Sequence, residues 1–108
     1  MTVAVMSAMD VEVELYLDQC DFPTTVQRAG LTFHEGHWKG HDLVLVQSRV
    51  GKVNAALCTQ LLIDHFGVDA VLCTGSAGAL HASLDIGDVV VARDCVQHDV
   101  MVDFLGLP

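Results

Sequence analysis

With 108 residues the chain is long enough for one small domain, and 52% of it is hydrophobic. Fourteen acids against five bases give a formal net charge of −9, which argues against a nucleic-acid backbone or an anionic membrane as partner, since both require a basic face. The apolar runs are too short to span a bilayer and the start, Met1 to Met6, lacks the basic residues of a signal peptide, so a cytoplasmic protein is expected.

Thr2–Ser7 is apolar and β-prone and predicts a first strand. Asp10 is the expected N-cap of a helix over Val11–Gln19, with Val11, Leu15 and Cys20 on one side. Phe22-Pro23 is expected to break the chain after it. Thr24–Ala29, Leu31–Trp38 and Asp42–Ser48 predict three strands of a meander, with turns at Ala29-Gly30 and Lys39-Gly40. A second helix is expected from Gly51 to about His65, with Val53, Ala56, Leu57 and Leu61 at helical spacing and Gly67 just past its end. Val68–Thr74 follows as a strand, Leu84–Asp88 as a turn in which Asp85 and Asp88 act as caps, and Val89–Ala92 as the beginning of a last strand. The four cysteines, at 20, 58, 73 and 95, form no C-x-x-C pair. Cys58 and Cys73 lie in apolar runs, so reduced, buried thiols are expected.

This order predicts an α/β fold, a mixed central sheet with flanking helices. A parallel strand such as Val68–Thr74 needs helices over both faces. Only two helices are visible, so residues 1–108 are expected to be the truncated, amino-terminal part of a single larger domain. Three strands empty into small-residue turns: Ser7-Ala8-Met9-Asp10, Ser48-Arg49-Val50-Gly51 and Thr74-Gly75-Ser76-Ala77-Gly78. Small residues leave main-chain N–H groups uncovered, and three such turns at strand ends predict one crevice at the carboxyl edge of the sheet.

The same segments resemble the 5′-methylthioadenosine/S-adenosylhomocysteine nucleosidases of the nucleoside phosphorylase superfamily. Ala8-Met9-Asp10-Val11-Glu12 is similar to that family's first strand–helix junction. Ser48-Arg49-Val50-Gly51-Lys52-Val53-Asn54-Ala55-Ala56 is similar to its S-G-I-G-K-V-x-A-A turn and helix. Thr74-Gly75-Ser76-Ala77-Gly78 is similar to its T-G-S-A-G loop, and Gly87-Asp88-Val89-Val90-Val91 and His98-Asp99 to its G-D-I-V-V and Y-H-D segments. The likeness runs in order over essentially the whole chain.

The resemblance implies a three-layer phosphorylase/hydrolase-like sandwich and hydrolysis of the N-glycosidic bond of an adenine thionucleoside, a reaction of methionine salvage that releases adenine. Water is the nucleophile and no cofactor or metal is needed. Glu12 matches the catalytic carboxylate that orients and deprotonates the water. Ser76 matches a hydroxyl beside water and ribose, and Met9 and Val50 match apolar contacts to the sugar and the 5′-alkylthio group. Ala77 and Gly78 line sugar and base by main chain. Val102 and Phe104 match residues that the second subunit of a homodimer lends to the thioalkyl pocket. The family's ribose-gripping Met-Glu pair and adenine-protonating Asp are expected after Pro108, so the lone chain is not expected to turn over substrate.

Each residue also has a plainer explanation. Glu12 fits a first-turn acid facing the helix dipole, Ser76 a turn hydroxyl bonding locally, and Met9 and Val50 core positions. Three other functions stay open: a purine nucleoside phosphorylase, a futalosine hydrolase, and a non-catalytic dimerisation or nucleoside-binding module. A phosphorylase holds its phosphate dianion with arginines. The turns at Ser7 and Thr74 have none, while Arg49 stands where the nucleosidases usually show Gly. His34 and His37 point to opposite faces of their strand and are not expected to share a metal.

Overall fold

The computed structural model describes residues 1–100, 105 and 106. Its contacts divide the chain into two units, Met1–Ala77 and Gly78–Pro108. The first unit carries every regular strand and α-helix among the described residues: β1 Thr2–Ser7, α1 Asp10–Gln19, β2 Asp21–Arg28, β3 Leu31–Trp38, β4 His41–Gln47, α2 Lys52–Phe66 and β5 Ala70–Cys73.

The five strands form one sheet in the order β2-β3-β4-β1-β5. β1 pairs in parallel with β4 on one side and β5 on the other, and β2, β3 and β4 form the expected antiparallel meander. Both meander turns are two residues long with positive φ at each position: Ala29 49° and Gly30 73°, Lys39 48° and Gly40 84°. That is the mirror-image turn whose twist matches a hairpin.

Strand parity sorts the core onto two faces. Ala4, Met6, Phe33, Val44 and Val46 pack with Cys58 and Leu62 of α2. Val5, Leu43 and Leu45 pack with Val13 of α1. Successive residues of β1 and β4 therefore bury against opposite helices, which makes a helix–sheet–helix sandwich and explains why these strands read as continuous apolar runs.

The structure corrects several boundaries. Met9, not Asp10, caps α1; Asp10 is the first helical residue and its carboxylate accepts the Val11 N–H at 3.0 Å. Phe22-Pro23 does not separate elements but lies inside β2, where the register to β3 slips between Asp21 and Thr24. β2 is an edge strand, and the irregularity there accommodates a residue without an N–H. α1 turns Val13 inward and leaves Val11 and Leu15 61% and 66% exposed. α2 buries Cys58 and Leu62, while Val53 and Leu57 are exposed. Gly67 closes α2 in the left-handed conformation, φ 60°, as expected.

In the second unit, the turn at Leu84–Asp88 forms. The Asp88 carboxylate accepts the Asp85 N–H at 2.9 Å, and Gly87 has φ 97°. Val89–Ala92 forms no strand: its valines are β-prone, but no ladder partner is supplied by the described residues. All four cysteines are free. Cys58 is buried, and burial pushes its thiol up to about 11. Cys73, expected to be buried, is exposed on the short edge strand β5.

Candidate active site

β4, β1 and β5 run parallel, so their carboxyl ends meet at one edge of the sheet. Hydrogen bonds lace those ends together. Ser48 N–H donates to the Ser7 carbonyl at 2.8 Å and Thr74 N–H to the Met6 carbonyl at 3.0 Å. The Ser7 and Thr74 hydroxyls bond to each other at 2.8 Å, and the Ser48 hydroxyl donates to the carbonyls of Ser7 and Arg49 at 3.3 and 3.0 Å. Ser7 and Ser48 are the buried polar residues among those described, and their bonding is what permits that burial.

Glu12 is the third residue of α1 and folds back over the helix start. Its Oε2 accepts the N–H groups of Ala8 and Met9 at 3.1 and 3.0 Å, satisfying donors that a helix N-terminus leaves without intrahelical partners. Its Oε1 crosses to the loop after β5 and accepts both the N–H and the hydroxyl of Ser76 at 2.9 and 3.1 Å. Glu12 thus caps the start of α1 and also ties it to the loop after β5. The Ser76 N–H, then the Met9 N–H, hold its carboxyl below the usual carboxylate range; desolvation opposes them, and the Ser76 hydroxyl and Ala8 N–H add to the lowering. The group is an anion near neutrality.

The structure brings Glu12, Met9 and Ser76 together at this edge, with Ala77 next in the loop. Met9 contributes its N–H to Glu12 and leaves its side chain partly exposed. Val50 follows β4 and is 70% exposed; its carbonyl accepts the Asn54 side-chain amide at 2.7 Å, which fixes the turn to the first turn of α2. Gly78 begins the second unit. Val102 and Phe104 lie outside the described residues.

Arg49 adopts φ 69°, a left-handed conformation that favours glycine. Its guanidinium donates to the Gly30 carbonyl at 2.8 Å, so it covers the β2–β3 turn. It also borders a cleft of about 410 Å³ on the α1 face, with Asp10, Glu14, His34 and Gln47, that includes neither Glu12 nor Ser76. His34 stacks edge-on against Phe22 and His37 bonds Asp42 across the hairpin at 2.8 Å.

Three contributors escaped the sequence reading. Ser7, Thr74 and Gly75 were visible only as parts of turns. The signal available was a hydroxyl residue closing an apolar strand at both Ser7 and Thr74, on strands predicted to be neighbours.

The sequence profile described as the phosphorylase superfamily matches residues 2–107. A 5′-methylthioadenosine/S-adenosylhomocysteine nucleosidase from Colwellia psychrerythraea is 44% identical over 106 residues, covering 98% of this chain and 44% of the relative. The crystal structure of such a nucleosidase from that organism, in complex with adenine, superposes with a TM-score of 0.94 at 44% identity over 99% of this chain and 44% of that one. The futalosine hydrolase of Helicobacter pylori superposes with a TM-score of 0.88 at 34% identity, covering 100% of this chain and 47% of its own. The chain therefore spans rather less than half the length of these relatives.

Proposed function

Because the chain belongs to the phosphorylase superfamily, we propose that the polypeptide carrying it is a hydrolase of the N-glycosidic bond in 5′-methylthioadenosine and S-adenosylhomocysteine, releasing adenine. The observation that carries this reading is the Glu12 carboxylate bonded to Ser76 at the edge where three parallel strands end. Cleavage of a glycosidic bond passes through an oxocarbenium-like state. A fixed anion beside it stabilises the developing positive charge, and the same carboxylate takes a proton from the attacking water. Ser76 orients that carboxylate and stands beside the ribose. Met9 and Val50 form the apolar side toward the sugar and alkylthio group, and Ala77 and Gly78 present bare main chain to sugar and base.

The activity belongs to the intact polypeptide, of which residues 1–108 form the amino-terminal part of one α/β domain. The reading includes a homodimer whose second subunit lends Val102 and Phe104 to the thioalkyl pocket, and a cytoplasmic role in methionine salvage. Exposed apolar residues along α2, Val53 and Leu57 among them, support a subunit contact there. The test is direct: purified intact polypeptide is given methylthioadenosine with and without phosphate, and free adenine and the sugar product are followed. Adenine with free thioribose in both arms is expected. A phosphorylated sugar formed only with phosphate refutes hydrolysis in favour of phosphorolysis.

A further inference from the structure

Six of the nine glycines sit at positive φ, where the missing Cβ relieves the backbone itself. Gly75 is not one of them. Its backbone conformation admits other residues, whereas the space around it does not. A Cβ built there would lie 2.8 Å from Glu12 Oε1, 3.1 Å from Cδ and 3.2 Å from Oε2. The three nearest atoms belong to one group, the far end of a flexible side chain.

We propose that Gly75 is a positioning residue for Glu12: its missing side chain leaves open the path by which the carboxylate crosses from the start of α1 to the Ser76 N–H and hydroxyl. This rests on the reading of Glu12 as the acting carboxylate. The Ser7–Thr74 hydroxyl pair, one residue earlier, fixes the end of β5 against β1. The loop therefore cannot yield as a whole without breaking that link and the Thr74 N–H bond to the Met6 carbonyl. A methyl group at position 75 is relieved by moving the carboxylate instead. That withdraws Oε1 from Ser76 and disturbs the contacts of Oε2 with Ala8 and Met9. The fold keeps its strands and its core; the carboxylate loses its address.

The experiment is Gly75→Ala in the intact polypeptide, with two sets of readouts. The first needs no substrate: the titration of the Glu12 carboxyl carbon and the amide resonances of Ala8 and Met9, which lie far from position 75 in sequence and bond Oε2 directly. Expected are an upward move of the carboxyl titration and displaced Ala8 and Met9 amides. In a Glu12→Ala background, which leaves no side-chain end for the new methyl to displace, Gly75→Ala is expected to leave those two amides where they were. The second readout is turnover, with kcat expected to fall about 100-fold, the scale of a carboxylate misplaced by about 1 Å, and KM to stay within about threefold. Wild-type titration and unmoved Ala8 and Met9 amides in Gly75→Ala overturn the proposal. So does a variant that loses its amide dispersion, because the clash then would not be confined to one carboxylate. An intact polypeptide that cleaves no thionucleoside at all defeats the hydrolase reading, while the resonances still decide whether Gly75 places Glu12.

Discussion

Glu12→Gln removes one negative charge and half of the accepting capacity of the side chain while keeping its length. The carboxylate accepts four hydrogen bonds, two on each oxygen. A glutamine has one acceptor oxygen, so its NH2 must face donors whichever way it is turned: either the Ala8 and Met9 N–H groups or the Ser76 N–H and hydroxyl. The hydroxyl can rotate and accept; backbone N–H groups cannot. The preferred arrangement therefore keeps the oxygen on Ala8 and Met9 and sets NH2 toward Ser76, which leaves the Ser76 N–H without its acceptor. With the proton acceptor gone, kcat for adenine release is expected to fall by about 10²–10⁴-fold, the usual worth of a general base. KM is expected to stay within about threefold, because the apolar contacts of Met9 and Val50 are untouched. Glu12→Asp is the companion variant. It keeps the charge and both acceptors but retracts them by one methylene, so a loss near 100-fold is expected from misplacement alone. The assay is continuous adenine release from methylthioadenosine by the intact polypeptide. A Glu12→Gln enzyme within twofold of the parent's rate would refute the reasoning and return Glu12 to a helix-end acid.

Acid titration supplies a second prediction. Glu12 has a folded pKa held below the ordinary 4.5, so its stabilising contribution is fully present above that value and is lost as pH falls through the folded pKa; urea unfolding of parent and Glu12→Gln at stepped pH is expected to show a gap that closes below pH 4.5. At Arg49, Arg49→Ala keeps the left-handed strain and loses the bond to Gly30, whereas Arg49→Gly relieves the strain. Arg49→Gly is expected to be the more stable of the two by about 1 kcal/mol in denaturant titrations, with neither variant changing the rate of adenine release severalfold. For the thiols, burial raises Cys58 to about 11, so at pH 8 a maleimide or disulfide reagent is expected to label the exposed Cys73 and Cys95 and to reach Cys58 only after denaturation, as read by mass spectrometry of peptides.

What the sequence made legible follows from where its patterns are unambiguous. The meander and its two mirror-image turns were readable because Ala29-Gly30 and Lys39-Gly40 punctuate runs of period two. β1 and β4 were readable because burial on both faces leaves no polar alternation to confuse them. The inward faces of the helices were not. α1 and α2 carry apolar residues on more than one side, so periodicity could not choose Val13 over Val11 and Leu15, or Leu62 over Leu57. Val89–Ala92 shows the same limit for strands, since propensity without a pairing partner makes no ladder. At the site, the turns and Glu12 were legible as types. The contact between Glu12 and Ser76 was not, because 64 positions of chain separate them and only the parallel pairing of β1 with β5 closes that distance.

The arrangement around Glu12 also bears on why water, not phosphate, is the nucleophile in the proposed reaction. Helix N-termini and exposed loop N–H groups make natural anion sites. At this edge the Ala8 and Met9 N–H groups at the head of α1 and the Ser76 N–H after β5 are all taken by Glu12. The protein's own carboxylate thus fills the place a bound anion would use. A phosphate dianion would have to displace it or sit beside it, against like charge and with Asp10 nearby on the same turn. The cation within the three turns, Arg49, gives a guanidinium N–H to the Gly30 carbonyl and borders a cleft that includes neither Glu12 nor Ser76. A neutral water meets no such repulsion, gives its proton to the anion already in place, and needs no further cation to be held. In the proposed reaction the internal carboxylate that occupies these donors is the same group that makes water reactive, which favours hydrolysis over phosphorolysis.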